Sequence, residues 1–147
     1  MMLSSNPALM IYVLATLVLC LNLLFLWVYS GGVRGKTKTA MNPEDAVTVA
    51  KGAQVSDSDP PEVARVLRAH RNAEASIYPF LALALAFVLV GGPAEHAKII
   101  FGTFVGARLV HSIAYLAGKQ PWRSLGFVVG LLAIFGLMGD IVWLLVK

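Results

Sequence analysis

The side chains best suited to chemistry in this sequence are polar residues that lie within or beside apolar stretches. Arg108, His111 and Tyr115 follow one another at i, i+3 and i+7, which is the spacing of one stripe along a helix. Arg68 and Asn72, at i and i+4, form a second such stripe. The forked guanidinium group of arginine binds carboxylates in bidentate geometry, and the asparagine, histidine and tyrosine side chains add hydrogen bonds. The set predicts a pocket for a small polyanion that carries amide groups.

The elements that must position these residues are membrane-spanning helices. The chain has 147 residues, of which 58% are hydrophobic and 14% charged, with a mean hydropathy of +0.74. A soluble domain carries about 25% charged residues, so the composition excludes an ordinary soluble enzyme. The single cysteine, Cys20, excludes a disulfide scaffold. We therefore expect one domain over residues 1–147, with the all-α fold of an integral membrane four-helix bundle.

Four stretches are long and apolar enough to cross a bilayer, which takes about 20 residues per helix. They cover approximately residues 7–30, 62–91, 96–118 and 122–146, and a polar connection covers residues 31–61. The first stretch lacks the basic segment of a signal peptide, so we interpret it as a permanent span. In the connection, Asn42 and Pro43 followed by two acids predict a short helix, and the segment Ser58–Glu62 predicts the start of the second span.

The distribution of the twelve Lys and Arg residues predicts the orientation. Seven lie between spans one and two, and two more lie between spans three and four. By the positive-inside rule, these two connections face the cytoplasm and both termini face away from it. Arg71, Asn72, Arg123 and Ser124 then fall at the cytoplasmic ends of spans, close in depth to the stripe that begins at Arg108. The net charge of +4 is thereby explained by topology and a pocket, and we expect no nucleic acid partner.

Several of these residues also have a purely structural interpretation. The arginines near the start of span two could snorkel to lipid phosphates, whereas the depth of Arg108 makes a lipid-facing position costly and favours a pocket. His111 could be a hydrogen-bonded packing residue, and Tyr115 an interfacial aromatic. We expect Asp140 to be a solvated charge at the outer rim and Cys20 to be packed or lipid-facing. No spacing matches a metal site, and we predict no metal.

Five motifs together resemble one protein family. They are Asn42-Pro43-Glu44-Asp45-Ala46, Arg65-Val66-Leu67-Arg68-Ala69-His70-Arg71-Asn72, Ile77-Tyr78-Pro79-Phe80, the segment Gly106–Leu116, and Pro121-Trp122-Arg123-Ser124. Through them the chain resembles the MAPEG family, membrane-associated proteins in eicosanoid and glutathione metabolism. Within the family it is most similar to the branch of microsomal prostaglandin E synthases and microsomal glutathione transferases. The resemblance extends over all four spans.

The resemblance implies a homotrimer of four-helix subunits that binds glutathione between neighbours on the cytoplasmic side. The matching positions imply Arg123 at the thiol with Ser124 beside it, and glutathione contacts from Arg34, Arg68, Arg71, Asn72, Arg108, His111 and Tyr115. Because the thiolate is the nucleophile and a free thiol has a pKa near 8.5, a guanidinium at the sulfur would activate it. The resemblance thus implies a glutathione-dependent transferase with peroxidase activity. Its second substrate would be a lipophilic electrophile or lipid hydroperoxide arriving from the membrane lipids.

Three positions depart from the family pattern. Its glutamate three residues after the motif asparagine is Ala75 here, and Glu74 lies one position earlier. One residue turns a helix by about 100°, so we do not expect Glu74 to act as the substitute. Asp45 is an alternative anchor for the glutathione ammonium group. In addition, the acid that often precedes the first arginine of the second motif is Ala64 here. The tyrosine that the prostaglandin branch has four residues after the arginine at the thiol is Phe127.

Other functions remain open at this point. A prostaglandin-E-synthase-like isomerase would use the same site. A non-catalytic lipid-binding scaffold of the same family is a second alternative, although the pair Arg123 and Ser124 argues against it because a scaffold needs no thiol activator. A small transporter would require an acid in mid-membrane, and Asp140 lies too near the outer end of its span.

Overall fold

The computed structural model describes residues 6–147, and in this range it contains four long helices. Each of the four is long and apolar enough to cross a membrane. This confirms the predicted all-α membrane bundle. In chain order the elements are α1 (Pro7–Thr37), β1 (Thr39–Ala40), α2 (Pro43–Val47), β2 (Gln54–Val55), α3 (Pro61–Leu89), α4 (Ala94–Leu116) and α5 (Trp122–Val146).

Helix α1 is longer than the apolar stretch that predicts it. Its first turn is capped by Asn6, whose Oδ1 accepts hydrogen bonds from the backbone N–H groups of Ala8 at 3.0 Å and Leu9 at 3.3 Å. The helix continues past residue 30 and ends at Thr37, where Lys38 adopts a left-handed conformation with a φ of 50°. The beginning of the predicted connection is therefore helical and carries its basic residues on a rigid element.

The rest of the connection contains a small feature that the sequence patterns do not predict. Strands β1 and β2 pair in parallel, with Thr39 opposite Gln54 and Ala40 opposite Val55. The predicted short helix between them is present as α2. Strands of two residues are too short to produce an alternating hydrophobic pattern, which is why sequence analysis misses them.

The two predicted helix starts in the connection are correct, although their polar residues do not cap as expected. Asn42 makes no capping bond to the backbone, and its Nδ2 instead donates to Asp45 Oδ2 at 3.1 Å. Asp59 precedes α3 but forms an ion pair with Arg34 Nη2 at 2.7 Å. Proline at the first position of α2 and α3 supplies a preorganised φ angle, so these helices begin there without a side-chain cap.

The bundle has two unlike halves. The apolar half contains the start of α1, the end of α3, the start of α4 and the end of α5. Its core includes Phe80, which stacks on Phe104 with ring centroids 3.8 Å apart. Phe101 contacts Phe80 edge-on at 5.5 Å and Phe87 at 5.8 Å. All four rings are fully buried, and they join α3 to α4 by aromatic packing.

At the far end of the apolar half, one polar pair links α4 to α5. His96 Nδ1 lies 2.7 Å from Asp140 Oδ2, and the Asp140 side chain is 14% exposed. Asp140 is therefore a paired and largely covered carboxylate, and the solvated rim charge predicted for it is wrong. Because its partner lies in a different helix, 44 residues away in the chain, no local spacing could reveal the pair.

The opposite, basic half contains the end of α1, the start of α3, the end of α4 and the start of α5. Its buried polar residues include Arg108 and His111. The described residues of α1 make no contact with α5, since both helices pack against α3 or α4 instead. The basic half is where the predicted site residues lie.

Candidate functional site

Arg108 is the largest fully buried side chain in the described part of the protein, with an exposure of 1%. Its Nη2 donates to Asn72 Oδ1 at 2.8 Å and to the Asn72 backbone oxygen at 3.4 Å. Within residues 6–147, no carboxylate lies within ion-pair distance of this guanidinium. The Nε–H of Arg108 has no hydrogen-bond partner. The site therefore holds a buried cation on neutral acceptors, and its Nε–H is a buried donor without a partner.

His111, one turn further along α4, is 3% exposed and joins α4 to the start of α5. Its Nδ1 lies 2.8 Å from the backbone oxygen of Arg123. A carbonyl oxygen can only accept, so Nδ1 must carry the proton of this bond. In the neutral imidazole Nε2 is then an acceptor, and this buried atom has no partner. The site thus offers one buried unpaired donor, Arg108 Nε, and one buried unpaired acceptor, His111 Nε2.

Arg123 lies beside the third residue of the α4 stripe. Its guanidinium carbon is 4.9 Å from the centroid of the Tyr115 ring, which is cation–π distance. The Tyr115 ring in turn meets His111 edge-on at 5.6 Å. Ser124 follows Arg123 in the first turn of α5 and is exposed. The structure therefore places the contact of Asn72 with Arg108 one turn along α4 from the contacts among His111, Tyr115 and Arg123. We call these five residues the contact chain.

A close approach of two backbones places α5 against this stripe. A Cβ atom at Gly126 would lie 2.9 Å from the backbone oxygen of Ala107 and 3.0 Å from the backbone nitrogen of His111. One turn later, a Cβ at Gly130 would lie 3.4 Å from Arg108 Cδ. Small residues four apart are a common means of close helix packing in membranes. Gly126 is a determinant of the site that the motif-based prediction missed, although its spacing from Gly130 is visible in the sequence.

Gln120, in the turn before α5, is a second missed residue. We assign the amide atom that faces the Arg123 guanidinium as the oxygen, which then accepts from Nη2 at 2.7 Å and from Nε at 3.2 Å. Its amide nitrogen donates to Ser124 Oγ at 3.0 Å. The reverse orientation would point amide N–H groups at guanidinium N–H groups, which are both donors. The sequence feature that could have identified Gln120 is its spacing, because Arg123 and Ser124 lie at i+3 and i+4 from it.

Three predicted residues are not part of this contact chain. Arg34 is paired with Asp59 at 2.7 Å. Arg68 and Arg71 are exposed on α3, and within the described range neither has a carboxylate within 4.0 Å. Asp45, the alternative acid, lines an open cavity of 840 Å³ with Arg34, between the end of α1 and the connection.

Glu74 lies away from this contact chain. Its carboxylate accepts from the Tyr78 hydroxyl at 3.3 Å and lies 3.4 Å from His70 Nδ1. Cys20 and Glu74 line the same groove between α1 and α3. Glu74 therefore has partners on its own helix, and the expectation that it does not replace the acid missing at Ala75 stays a prediction.

An integral membrane four-helix bundle with a cationic, hydrogen-bonding site at one end is the class of protein that these observations define. Comparison with known proteins gives the family: a family model for the MAPEG family matches residues 12–143. This chain belongs to the MAPEG family.

Three relatives illustrate the range of similarity. The chain is 36% identical over 140 residues to prostaglandin E synthase of Equus caballus, covering 95% of this chain and 90% of the relative. It is 35% identical over 140 residues to prostaglandin E synthase of Homo sapiens, with coverages of 95% and 91%. It is also 37% identical over 131 residues to microsomal glutathione S-transferase 1 of Rattus norvegicus, with coverages of 87% and 84%. These relatives support a glutathione-dependent enzyme at the level of the family.

Proposed function

We propose that this protein is a membrane transferase with peroxidase activity that presents glutathione as a thiolate to lipophilic electrophiles or hydroperoxides. The observation that carries the proposal is the environment of Arg123. Its guanidinium lies against the Tyr115 ring and shares the Gln120 amide with the Ser124 hydroxyl, and no carboxylate of the described residues lies within 4.0 Å to neutralise it. A fixed cation beside a hydroxyl donor is suited to stabilising a sulfur anion.

The rest of the cluster suits the body of the tripeptide. Glutathione has two carboxylates, one ammonium group and two amides. The unpaired Nε–H of Arg108 and the unpaired Nε2 of His111 match the oxygen and the N–H of an amide. Arg68 and Arg71 supply charge for the carboxylates. Asp45 is the proposed anchor for the ammonium group, because the acid of the family pattern is Ala75.

The separation of the residues within one chain supports a site shared between copies. Within one subunit, Arg68 and Arg71 are exposed and lie apart from the contacts around Arg123. The cavity beside Arg34 also lies apart from them. A homotrimer would complete the site by placing these cations of one subunit next to Arg123 of its neighbour. By the positive-inside rule we assign this site to the cytoplasmic side and both termini to the opposite side.

The proposed chemistry begins with loss of the thiol proton to water. Lowering the pKa of the bound thiol by about 1.4 corresponds to roughly 2 kcal/mol of stabilisation by Arg123 and Ser124. In transfer, a sulfur–carbon bond forms as the leaving group departs with its electron pair. In peroxide reduction, sulfur takes one peroxide oxygen, the O–O bond breaks, and the alkoxide takes a proton. A second glutathione then forms the disulfide and releases water.

The test is turnover of glutathione with chlorodinitrobenzene and with a lipid hydroperoxide, for the wild type and Arg123→Ala. We expect a loss of about 100-fold in kcat for Arg123→Ala, since one electrostatic stabiliser of an anion is worth about that factor. Lys98→Ala, at the other end of the bundle, is the matched control and should retain full activity. If the wild type shows neither glutathione-dependent turnover nor thermal stabilisation by glutathione, the proposal is wrong.

A prostaglandin-E-synthase-like isomerase is the second candidate. It is favoured by the relatives named prostaglandin E synthase, which match 95% of this chain. Phe127 lies with its ring centroid 6.4 Å from that of His111, where the prostaglandin branch has a tyrosine, and this favours the transferase. Formation of prostaglandin E from its endoperoxide isomer at a rate above the transferase rate would reverse the order of the two candidates.

A non-catalytic lipid-binding scaffold is the third candidate. It predicts glutathione-independent lipid binding and no turnover. An Arg123→Ala variant that binds lipid like the wild type, together with an inactive wild type, would favour it.

A further inference from the structure

We infer that Gln120 is a positioning residue that keeps both Arg123 and Ser124 available to the glutathione sulfur; this inference rests on the proposed function. Gln120 lies at i−3 from Arg123 and at i−4 from Ser124, so its side chain can reach both. No motif that identifies the family includes it.

The first part of the argument concerns the guanidinium. The Gln120 amide oxygen accepts from Nη2 and Nε of Arg123, at 2.7 and 3.2 Å. An arginine has five N–H donors, so three remain for a ligand. Because the amide is neutral, it orients the fork without cancelling its charge. A carboxylate at the same place would form a bidentate ion pair and weaken the attraction for a thiolate.

The second part concerns the hydroxyl. A serine hydroxyl has one O–H donor and two lone pairs. The Gln120 amide nitrogen donates to Ser124 Oγ at 3.0 Å, so the Ser124 oxygen is already an acceptor and its proton is free to be donated. A thiolate can only accept. The bridging amide therefore leaves donors, and no competing acceptor, for the sulfur.

The third part concerns rigidity. The Tyr115 ring bounds the Arg123 guanidinium at 4.9 Å, and His111 holds the Arg123 backbone oxygen at 2.8 Å. Gln120 adds two bonds to the guanidinium itself. Because the Arg123 side chain is already held in place by these contacts, it loses less conformational entropy when a ligand binds. This favours binding of the anion.

The charge test uses Gln120→Glu, which keeps the size and adds a carboxylate. We expect the pKa of the bound glutathione thiol, followed by thiolate absorbance against pH, to rise by about one, which is the scale of one added like charge nearby. The kcat at neutral pH should fall about tenfold in step. Gln54→Glu, which adds the same charge in the exposed connection, should change neither value.

The coupling test uses Gln120→Met, which has similar length and no hydrogen bonds. We expect a smaller loss of kcat, about fivefold, with little change in KM. If Gln120 acts through Ser124, the double variant Gln120→Met/Ser124→Ala should lose little more than Ser124→Ala alone.

The outcomes separate this inference from the proposed function. An active wild type whose Gln120→Glu variant has unchanged thiol pKa and kcat would overturn the role of Gln120 and leave the transferase intact. Fully additive losses in the double variant would overturn the part of the inference that concerns Ser124. A wild type without thiolate formation or turnover would instead remove the proposed function itself.

Discussion

The apolar half and the basic half of this bundle use the same four helices for different purposes. In the apolar half, α3 and α4 meet through four buried phenylalanine rings. At its far end, the pair of His96 and Asp140 links α4 to α5. In the basic half, the same two helices meet through the bond from Arg108 to Asn72, and polar atoms are left unpaired. The basic half, unlike the apolar half, therefore has buried polar atoms without a hydrogen-bond partner among the described residues.

This difference separates the residues that stabilise the fold from the residues of the candidate site. Unpaired buried polar atoms destabilise a folded protein, so Arg108 Nε and His111 Nε2 are the groups that we expect the proposed ligand to satisfy. The dense aromatic packing beyond them stabilises the helix pair on which the polar cluster is built. If this division is real, substitutions in the two halves should affect different measurements.

The largest effect on stability is expected from Phe80→Ala. Removing this ring leaves a cavity among three other buried rings and should lower the free energy of unfolding by about 3 kcal/mol. Unfolding in detergent micelles measures it, and turnover per folded molecule should stay within about twofold of the wild type. Phe135→Ala, at an exposed ring on α5, is the matched control and should be nearly neutral. Loss of turnover without loss of stability would contradict the division between the halves.

The next effect is expected from Gly126→Ala, which should change both measurements. The added methyl would lie 2.9 Å from the Ala107 backbone oxygen, so α5 must shift away from α4. We expect about 2 kcal/mol of destabilisation and a loss of turnover of about 100-fold, since the carbonyl of Arg123 would leave His111.

The same helix contains the control for this change. Gly136 has no atom within 4 Å of an added Cβ, so Gly136→Ala should be neutral or slightly stabilising. Equal behaviour of the two alanine variants would mean that the close approach at Gly126 does not organise the site.

The smallest effect is expected from His96→Ala in the apolar half. The His96 side chain is 51% exposed, so solvent screens its interaction with Asp140. We expect the pair to contribute about 0.5 kcal/mol at a pH where both groups are charged. Glutathione turnover should be unchanged. A melting temperature within error of the wild type would confirm the expectation, whereas altered turnover would show that the two halves are coupled.

Periodicity and composition predicted much of this protein, because long apolar helices and the spacing of residues along one helix are local properties. The stripe Arg108, His111 and Tyr115 does lie on one face, and the start of α2 and the bounds of α3 agree closely with prediction. The residues that resemble family motifs also led to the correct family. The roles of the predicted site residues remain predictions.

Interactions between helices could not be predicted in the same way. The pairing of Arg34 with Asp59 and of His96 with Asp140 depends on which helices are neighbours. The contact of Gly126 with the α4 backbone depends on how closely two helices approach. Hydrogen bonds of Gln120 depend on the path of the turn before α5.

Residue order alone is enough to predict a membrane protein of four helices with a basic end, because burial in lipid and helical spacing depend only on that order. The tertiary structure decided which of the basic residues meet. It joined Arg108 to Asn72 and His111 to Arg123, and it paired Arg34 elsewhere. The physical reason is that hydrogen bonds and ion pairs act over about 3–4 Å, a distance that only packing between helices can set.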